Sequence, residues 1–165
     1  MLSIKSAGLK EINLIKKLAH GIWPVTYKVI LSPDQMEYML NLIYSGSALK
    51  KQMRELHHKF IIAYDHNVPA GFASYSLKPN SKNIFKLHKL YILHEMQGKG
   101  IGTCLLNKII DDVKPAGAKI LELNVNRHNR ALEFYKKLGF KIISEEDIDI
   151  DNGYFMNDYV LNLKL

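Results

Sequence analysis

Residues 95–106 read EMQGKGIGTCLL, with Gly98, Gly100 and Gly102 at alternate positions. The stretch lies between a β-like run, IFKLHKLYIL, and a segment of helical periodicity over residues 101–113. Glycines at a strand-to-helix junction let the backbone turn tightly and present successive N–H groups, and the start of the helix adds partial positive charge. The natural guest of such a loop is a phosphate or pyrophosphate, with Lys99 adding a full charge; a plain tight turn is the alternative. Two familiar phosphate loops do not fit. GKGIGT lacks the lysine and hydroxyl pair that closes a G-x-x-x-x-G-K-[ST] loop, and its G-x-G-x-G spacing is not G-x-G-x-x-G. The string also comes late in the chain, whereas the dinucleotide-binding fold usually opens with its glycines.

Composition narrows the class. The 165 residues are 47% hydrophobic and 24% charged, which suits one domain over residues 1–165 with a sizeable core. The N-terminal stretch has no uninterrupted apolar core or small-residue cleavage site, and no run of about 18 apolar residues occurs, so a cytoplasmic protein is expected. A single cysteine, Cys104, forms no internal disulfide and excludes a cysteine-based zinc cage. The net charge of +7 suits an anionic cofactor as well as nucleic acid, but the lysines are scattered over helical faces without interleaved aromatics, so a nucleic-acid partner is not expected.

Periodicity orders the rest. LKEINLIKKLAH (9–20) aligns Leu9, Ile12, Ile15, Leu18 and Ala19 on one stripe of an amphipathic helix. Ser32-Pro33-Asp34 reads as a cap and first turn for a second helix, and LKKQMREL as a third. KFIIAYD and AGFASYSLK form a hairpin around HNVP, and IFKLHKLYIL is the next strand. KILELNVN is a strand, RALEFYKKL a helix stopped by Gly139, and FKIISEE and GYFMNDYVLNLKL are final strands around an acidic loop, with an early strand at LSIKSA. The result is an α/β fold.

Gln97-Gly98-Lys99-Gly100-Ile101-Gly102 resembles the Q/R-x-x-G-x-G/A signature of the GCN5-related N-acetyltransferase (GNAT) superfamily. Asn129 to Phe140, NRALEFYKKLGF, is similar to its second block, in the right order and at the right separation. The likeness covers most of residues 60–165 and the N-terminal third more loosely. It implies a mixed, mostly antiparallel sheet flanked by helices, with two central parallel strands splayed around the pantetheine arm of acetyl-CoA. On that reading Leu90, Tyr91 and Ile92 supply backbone to the pantetheine as an added strand would, Gln97 to Thr103 face the pyrophosphate, and Lys137 also binds the cofactor. Asn129 either reaches the cofactor or caps the helix that follows it.

Acetyl transfer needs an uncharged amine, an oxyanion donor and a proton for the departing thiolate. By resemblance Tyr135 is that proton donor, with packing beside Phe134 as the alternative, and the N–H of Ile92 or a neighbour is the oxyanion donor. Relatives often carry a glutamate on one of the splayed strands, where this chain has Lys86, His88 and Lys89 on the first and Asn124 on the second. His88 and Glu122 are the candidate bases, against ordinary strand roles. His57 and His58 imply no metal and read as surface or loop residues.

For the acceptor, Trp23 to Tyr27 lie where the superfamily places variable helices, and with the acidic run Glu145 to Asp151 the chain resembles bacterial spermidine and spermine N-acetyltransferases. The expected partner is therefore a small amine. A solvated hairpin loop is the alternative for the acidic run, and core packing for Trp23 and Tyr27. A peptide or protein acetyltransferase, or a noncatalytic acyl-CoA sensor, would keep the same cofactor loop. The motifs leave the acyl length open, and a homodimer is compatible with them.

Overall fold

The computed structural model describes residues 1–165. Seven strands form one mixed sheet in the order β1-β2-β3-β4-β5-β7-β6. They are β1 (Leu2–Ala7), β2 (Lys59–Asp65), β3 (Val68–Leu77), β4 (Ile84–Ile92), β5 (Ile120–Asn126), β6 (Lys141–Asp149) and β7 (Phe155–Lys164). The helices are α1 (Ile12–Tyr27), α2 (Pro33–Tyr44), α3 (Gly46–Arg54), α4 (Ile101–Val113) and α5 (Ala131–Lys137). Only β4 and β5 run parallel; every other neighbouring pair is antiparallel. The expected α/β architecture with a splayed parallel pair is thus observed.

Strand alternation sorts the side chains onto two faces. Leu121, Leu123 and Val125 of β5 turn toward Leu105, Leu106 and Ile109 of α4, and Tyr135 and Phe140 join the same core. Phe60, Ile62 and Phe72 turn the other way and pack beneath Ile15, Ile22 and Trp23 of α1, Tyr44 of α2 and Leu49 of α3. The caps follow the sequence: the Ser32 hydroxyl accepts from the Gln35 N–H with Pro33 in the first turn, and the Ser45 hydroxyl accepts from the Ala48 N–H.

Several boundaries differ from the sequence expectations. The β2–β3 hairpin turns on His66 and Asn67 alone, at φ 48° and 66°, and Val68 and Pro69 already belong to β3. A two-residue turn with both φ values positive matches the right-handed twist of the flanking strands. The first helix extends to Tyr27, carrying Pro24 within it. The acidic run is not a loop, because Glu145 to Asp149 lie in β6 and the turn to β7 is built around Asp151, Asn152 and Gly153, all at positive φ. His58 is in a loop, as expected, half-buried, with its ring stacked on that of His88 at a centroid distance of 3.8 Å.

The parallel pair sets the geometry of everything nearby. Ile84 to Leu87 pair with Ile120 to Leu123, and there the ladder ends although β4 runs on to Ile92 and β5 to Asn126. The divergence coincides with a bulge. Across from β3, Ser74 pairs with Lys89 and Tyr75 with Leu87, so His88 is the extra residue that bends β4 away. Beyond the bulge β4 stays bonded to β3, which brings Gly71 opposite Ile92.

That approach tolerates no side chain. A Cβ on Gly71 would stand 2.5 Å from the Tyr91 carbonyl oxygen and 3.1 Å from the Ile92 Cα, both backbone atoms. Overpacking of this kind costs about 1–3 kcal/mol. Gly71→Ala is therefore expected to lower the urea midpoint by that amount of stability, and an unchanged midpoint would mean that β3 and β4 can separate freely here.

Candidate active site

The glycines quoted at the outset play two roles. Gly98 and Gly100 both sit at φ 77°, a left-handed conformation that costs other residues about 1–2 kcal/mol each. Gly102 is needed for space, because a Cβ there would lie 3.1 Å from the Phe134 ring of α5. The outcome is a run of backbone N–H groups from Gly98 to Thr103 that find no acceptor within the chain, the next, that of Cys104, bonding to the Gly100 carbonyl. With α4 beginning at Ile101, these donors and the helix dipole fit a pyrophosphate. The Lys99 ammonium rests on Asp65 of β2 at 3.2 Å. Lys137 is exposed at the end of α5 with no ion pair inside the chain.

The splay supplies an open strand edge. The Leu93 N–H donates to the Ala70 carbonyl on β3, so by alternation the N–H groups of Ile92 and Leu90 point to the other side, into the gap between β4 and β5. The Ile92 carbonyl faces the same way and receives the Gln97 side-chain amide at 3.5 Å. An extended amide-bearing chain fits this edge as a further strand would.

Phenols close the gap. The Tyr27 hydroxyl lies 3.0 Å from that of Tyr91, and the Asn129 amide donates to it at 3.5 Å. Asn129 also accepts the Ala131 N–H at 2.9 Å, an Asx-type bond that leads into α5, whose N-cap is Arg130. Tyr135 approaches from α5 on the opposite face of the sheet. Burial pushes its phenol up, and the Tyr27 hydroxyl adds to the rise, so Tyr135 stays protonated across the physiological range. Burial likewise raises Tyr27 and Tyr91.

The two candidate bases each have a partner within the chain. Glu122 is buried and paired with Lys78 at 2.8 Å. His88 has its Nε2 on the Ser76 hydroxyl at 2.7 Å. Burial, and then His58, Lys89 and Lys86, bring its pKa down to about 2, so it is neutral under any physiological condition. Lys89 is buried on two aromatic rings with Gln52 as its hydrogen-bond partner, and burial lowers it to about 8.

One group went unnoticed in the sequence. Asp158 of β7 is 3% exposed, opposite Asn126 at the end of β5 and Glu146 on β6. The Asn124 amide donates to Asp158 at 3.3 Å and to Glu146 at 3.0 Å, so two carboxylates bracket one amide beside the gap. Burial raises Asp158, the Asn124 hydrogen bond opposes the rise, and Glu146 adds to it. The available signal was the lone acid of the final strand, at the parity of Val160. Alternation also divides the acidic run: Glu146 faces Asn124, while Glu145 and Asp147 face Arg127, 3.9 and 2.7 Å away.

Comparison with known proteins places the chain in a family. Residues 30–162 match the family described as acetyltransferase (GNAT) domain. An uncharacterised N-acetyltransferase of Methanocaldococcus jannaschii is 33% identical over 87 residues, half of this chain and 38% of that protein. The [ribosomal protein bS18]-alanine N-acetyltransferase of Haemophilus influenzae is 31% identical over 124 residues, 73% of this chain and 77% of that one. The crystal structure of PaiA N-acetyltransferase from Thermoplasma acidophilum in complex with coenzyme A superposes with a TM-score of 0.82 at 25% identity, covering 100% of this chain and 99% of the other.

The loop makes a direct prediction. Gly100→Ala is expected to weaken acetyl-CoA binding about tenfold, the equivalent of about 1.4 kcal/mol of αL strain, in isothermal calorimetry. An unchanged Kd would show that the N–H groups are not held for an anion.

Proposed function

The chain belongs to the GNAT acetyltransferase family, for which acetyl-CoA is the acyl donor, and from that premise we propose that it transfers acetyl directly to a primary amine of a polyamine such as spermidine or spermine. The observation that carries the choice of acceptor is the pair Glu146 and Asp158 on one amide at the edge of the gap. In a chain of net charge +7, two converging carboxylates select a cation. They suit an acceptor with one ammonium to react and another to anchor.

In this reading the Gly98 to Thr103 N–H groups hold the pyrophosphate, and Leu90, Tyr91 and Ile92 bind the pantetheine arm along the β4 edge. The Ile92 N–H, aimed into the gap, meets the oxyanion of the tetrahedral intermediate. Tyr135, kept protonated by burial, gives its proton to the departing thiolate. Asn129 and Tyr27 line the space between them.

A second reading has specific support: the Haemophilus influenzae relative acts on an alanine of a ribosomal protein, so the amine of a peptide N-terminus is the competing acceptor. The deciding measurement is thiol release from acetyl-CoA with spermidine, spermine, short diamines, a lysine peptide and a peptide with a free N-terminal alanine. Selective turnover of spermidine or spermine is expected; a peptide turning over best would overturn the polyamine reading. Glu146→Gln is expected to raise the KM for spermidine about tenfold, as the loss of one ammonium contact of about 1.4 kcal/mol, and to leave the KM for a monoamine unchanged. Tyr135→Phe is expected to lower kcat about 100-fold with the acetyl-CoA Kd within twofold, and an unaffected kcat would remove Tyr135 from the chemistry.

A further inference from the structure

Asp158 stands on a central strand, between β5 and β6, beside the buried Val160 and Leu161. Carboxylates in such positions are normally neutralised by a cation, since a buried uncompensated charge is costly. Here no ammonium or guanidinium pairs with it. Arg127 is nearby, but its guanidinium is spent on the Asp158 backbone carbonyl at 3.4 Å and on the Asp147 carboxylate. The single side-chain donor on Asp158 is the Asn124 amide, at 3.3 Å. The Asn124 Oδ1 is itself buried and without a partner. A carboxylate with a single side-chain donor keeps acceptor capacity for the N–H groups of a cation.

The position is equally specific. Asp158 is the register partner of Asn126, in the part of β5 that has separated from β4. Asp158 shares the face of Val160, while the adjacent Leu161 packs in one core with Tyr135, so Asp158 and Tyr135 lie on opposite faces of the sheet.

We propose that Asp158 is the catalytic base that deprotonates the acceptor ammonium before it attacks the acetyl thioester. The ammonium gives one proton to the Asp158 carboxylate and becomes a free amine. The nitrogen–carbon bond forms and the carbonyl becomes an oxyanion; as that collapses, the carbon–sulfur bond breaks. The thiolate takes the Tyr135 proton, Tyr135 regains one from the new amide nitrogen, and Asp158 releases its proton to solvent. The role explains how the chain dispenses with a glutamate at Asn124: Asn124 holds the carboxylate of the neighbouring strand instead. The groups that face Asp158 are Asn124 and Asn126 from β5, Glu146 from β6, Lys86 from β4, Arg127 from the β5–α5 connection and Tyr27 from α1. Burial and Glu146 raise its affinity for a proton, while Asn124, Lys86 and Arg127 restrain the rise.

The assignment rests on amine acetylation and not on which amine is used, so the test runs with whichever acceptor the enzyme turns over best. Asp158→Asn should lower kcat about 100-fold or more at neutral pH with acetyl-CoA affinity within twofold by calorimetry. Its kcat/KM should lose the acidic limb set by Asp158 and climb with pH as the free amine accumulates. A variant with the wild-type pH profile and only a raised KM for the amine would overturn the proposal and leave Asp158 an anchoring carboxylate. A second measurement needs no variant activity: the Asp158 carboxyl carbon in the wild-type protein, followed by NMR, should titrate above the ordinary aspartate value of about 3.9, and titration at or below it would also overturn the proposal. If a peptide wins the acceptor comparison, the polyamine reading falls while the Asp158 experiment proceeds unchanged on the peptide.

Discussion

The site depends on two strands that pair and then part. A parallel ladder between β4 and β5 would normally run as far as both strands continue, because each further pair satisfies backbone donors and acceptors. Here it stops after Leu87 and Leu123, at the point where His88 is inserted as a bulge. The cost is a set of strand groups without strand partners. The gain is an edge inside the sheet, reachable from both faces, onto which α4 directs its N-terminus and α1 and α5 direct phenols. The cofactor loop, the Ile92 N–H and the tyrosines would have no common focus in a closed sheet.

Flanking elements hold this geometry from either side. On β3, Gly71 lets β4 lie close, and beyond the bulge β4 remains bonded to β3 and so does not drift. On the far side, β5 continues to pair with β7 up to Asn126, which keeps Asn124 and Asp158 in register. Gly102 lets α4 settle against Phe134 of α5, tying the cofactor loop to the helix that carries Tyr135. Small residues are thus placed where backbone must approach backbone or ring, and the large aromatics fill what the splay leaves open.

The fold was legible in the sequence wherever local signals agreed. Ser32-Pro33 starts its helix as written, residues 101–113 match α4 end to end, and the loop glycines sit at the junction their spacing implied. The acidic run misled because charges suggest a turn, whereas β6 is an edge strand open to solvent, where a strand can carry them. Proline discourages a strand assignment, yet Val68 and Pro69 both lie in β3, paired with Asp65 and Tyr64 beside a register shift. The candidate site divided along the same line. Backbone-based features were recognisable because glycine spacing encodes them, while Asp158 was not, since its neighbours Asn124, Asn126 and Glu146 are brought to it only by register. His88 illustrates a further case, a residue singled out by its type whose burial and contact with Ser76 only the fold reveals.

The aromatic lining has an optical side. The chain has one tryptophan, Trp23, and it is 3% exposed in α1, with the ring of Tyr27 at 4.6 Å and that of Tyr91 at 5.9 Å. Tyrosine emission in such proximity passes to the indole, so excitation of Tyr27 and Tyr91 is collected by one ring behind the gap. The indole N–H has no partner, which leaves its excited state responsive to any dipole brought near. Selective excitation of that indole is expected to follow occupancy of the cleft in the native protein, with no dye to attach.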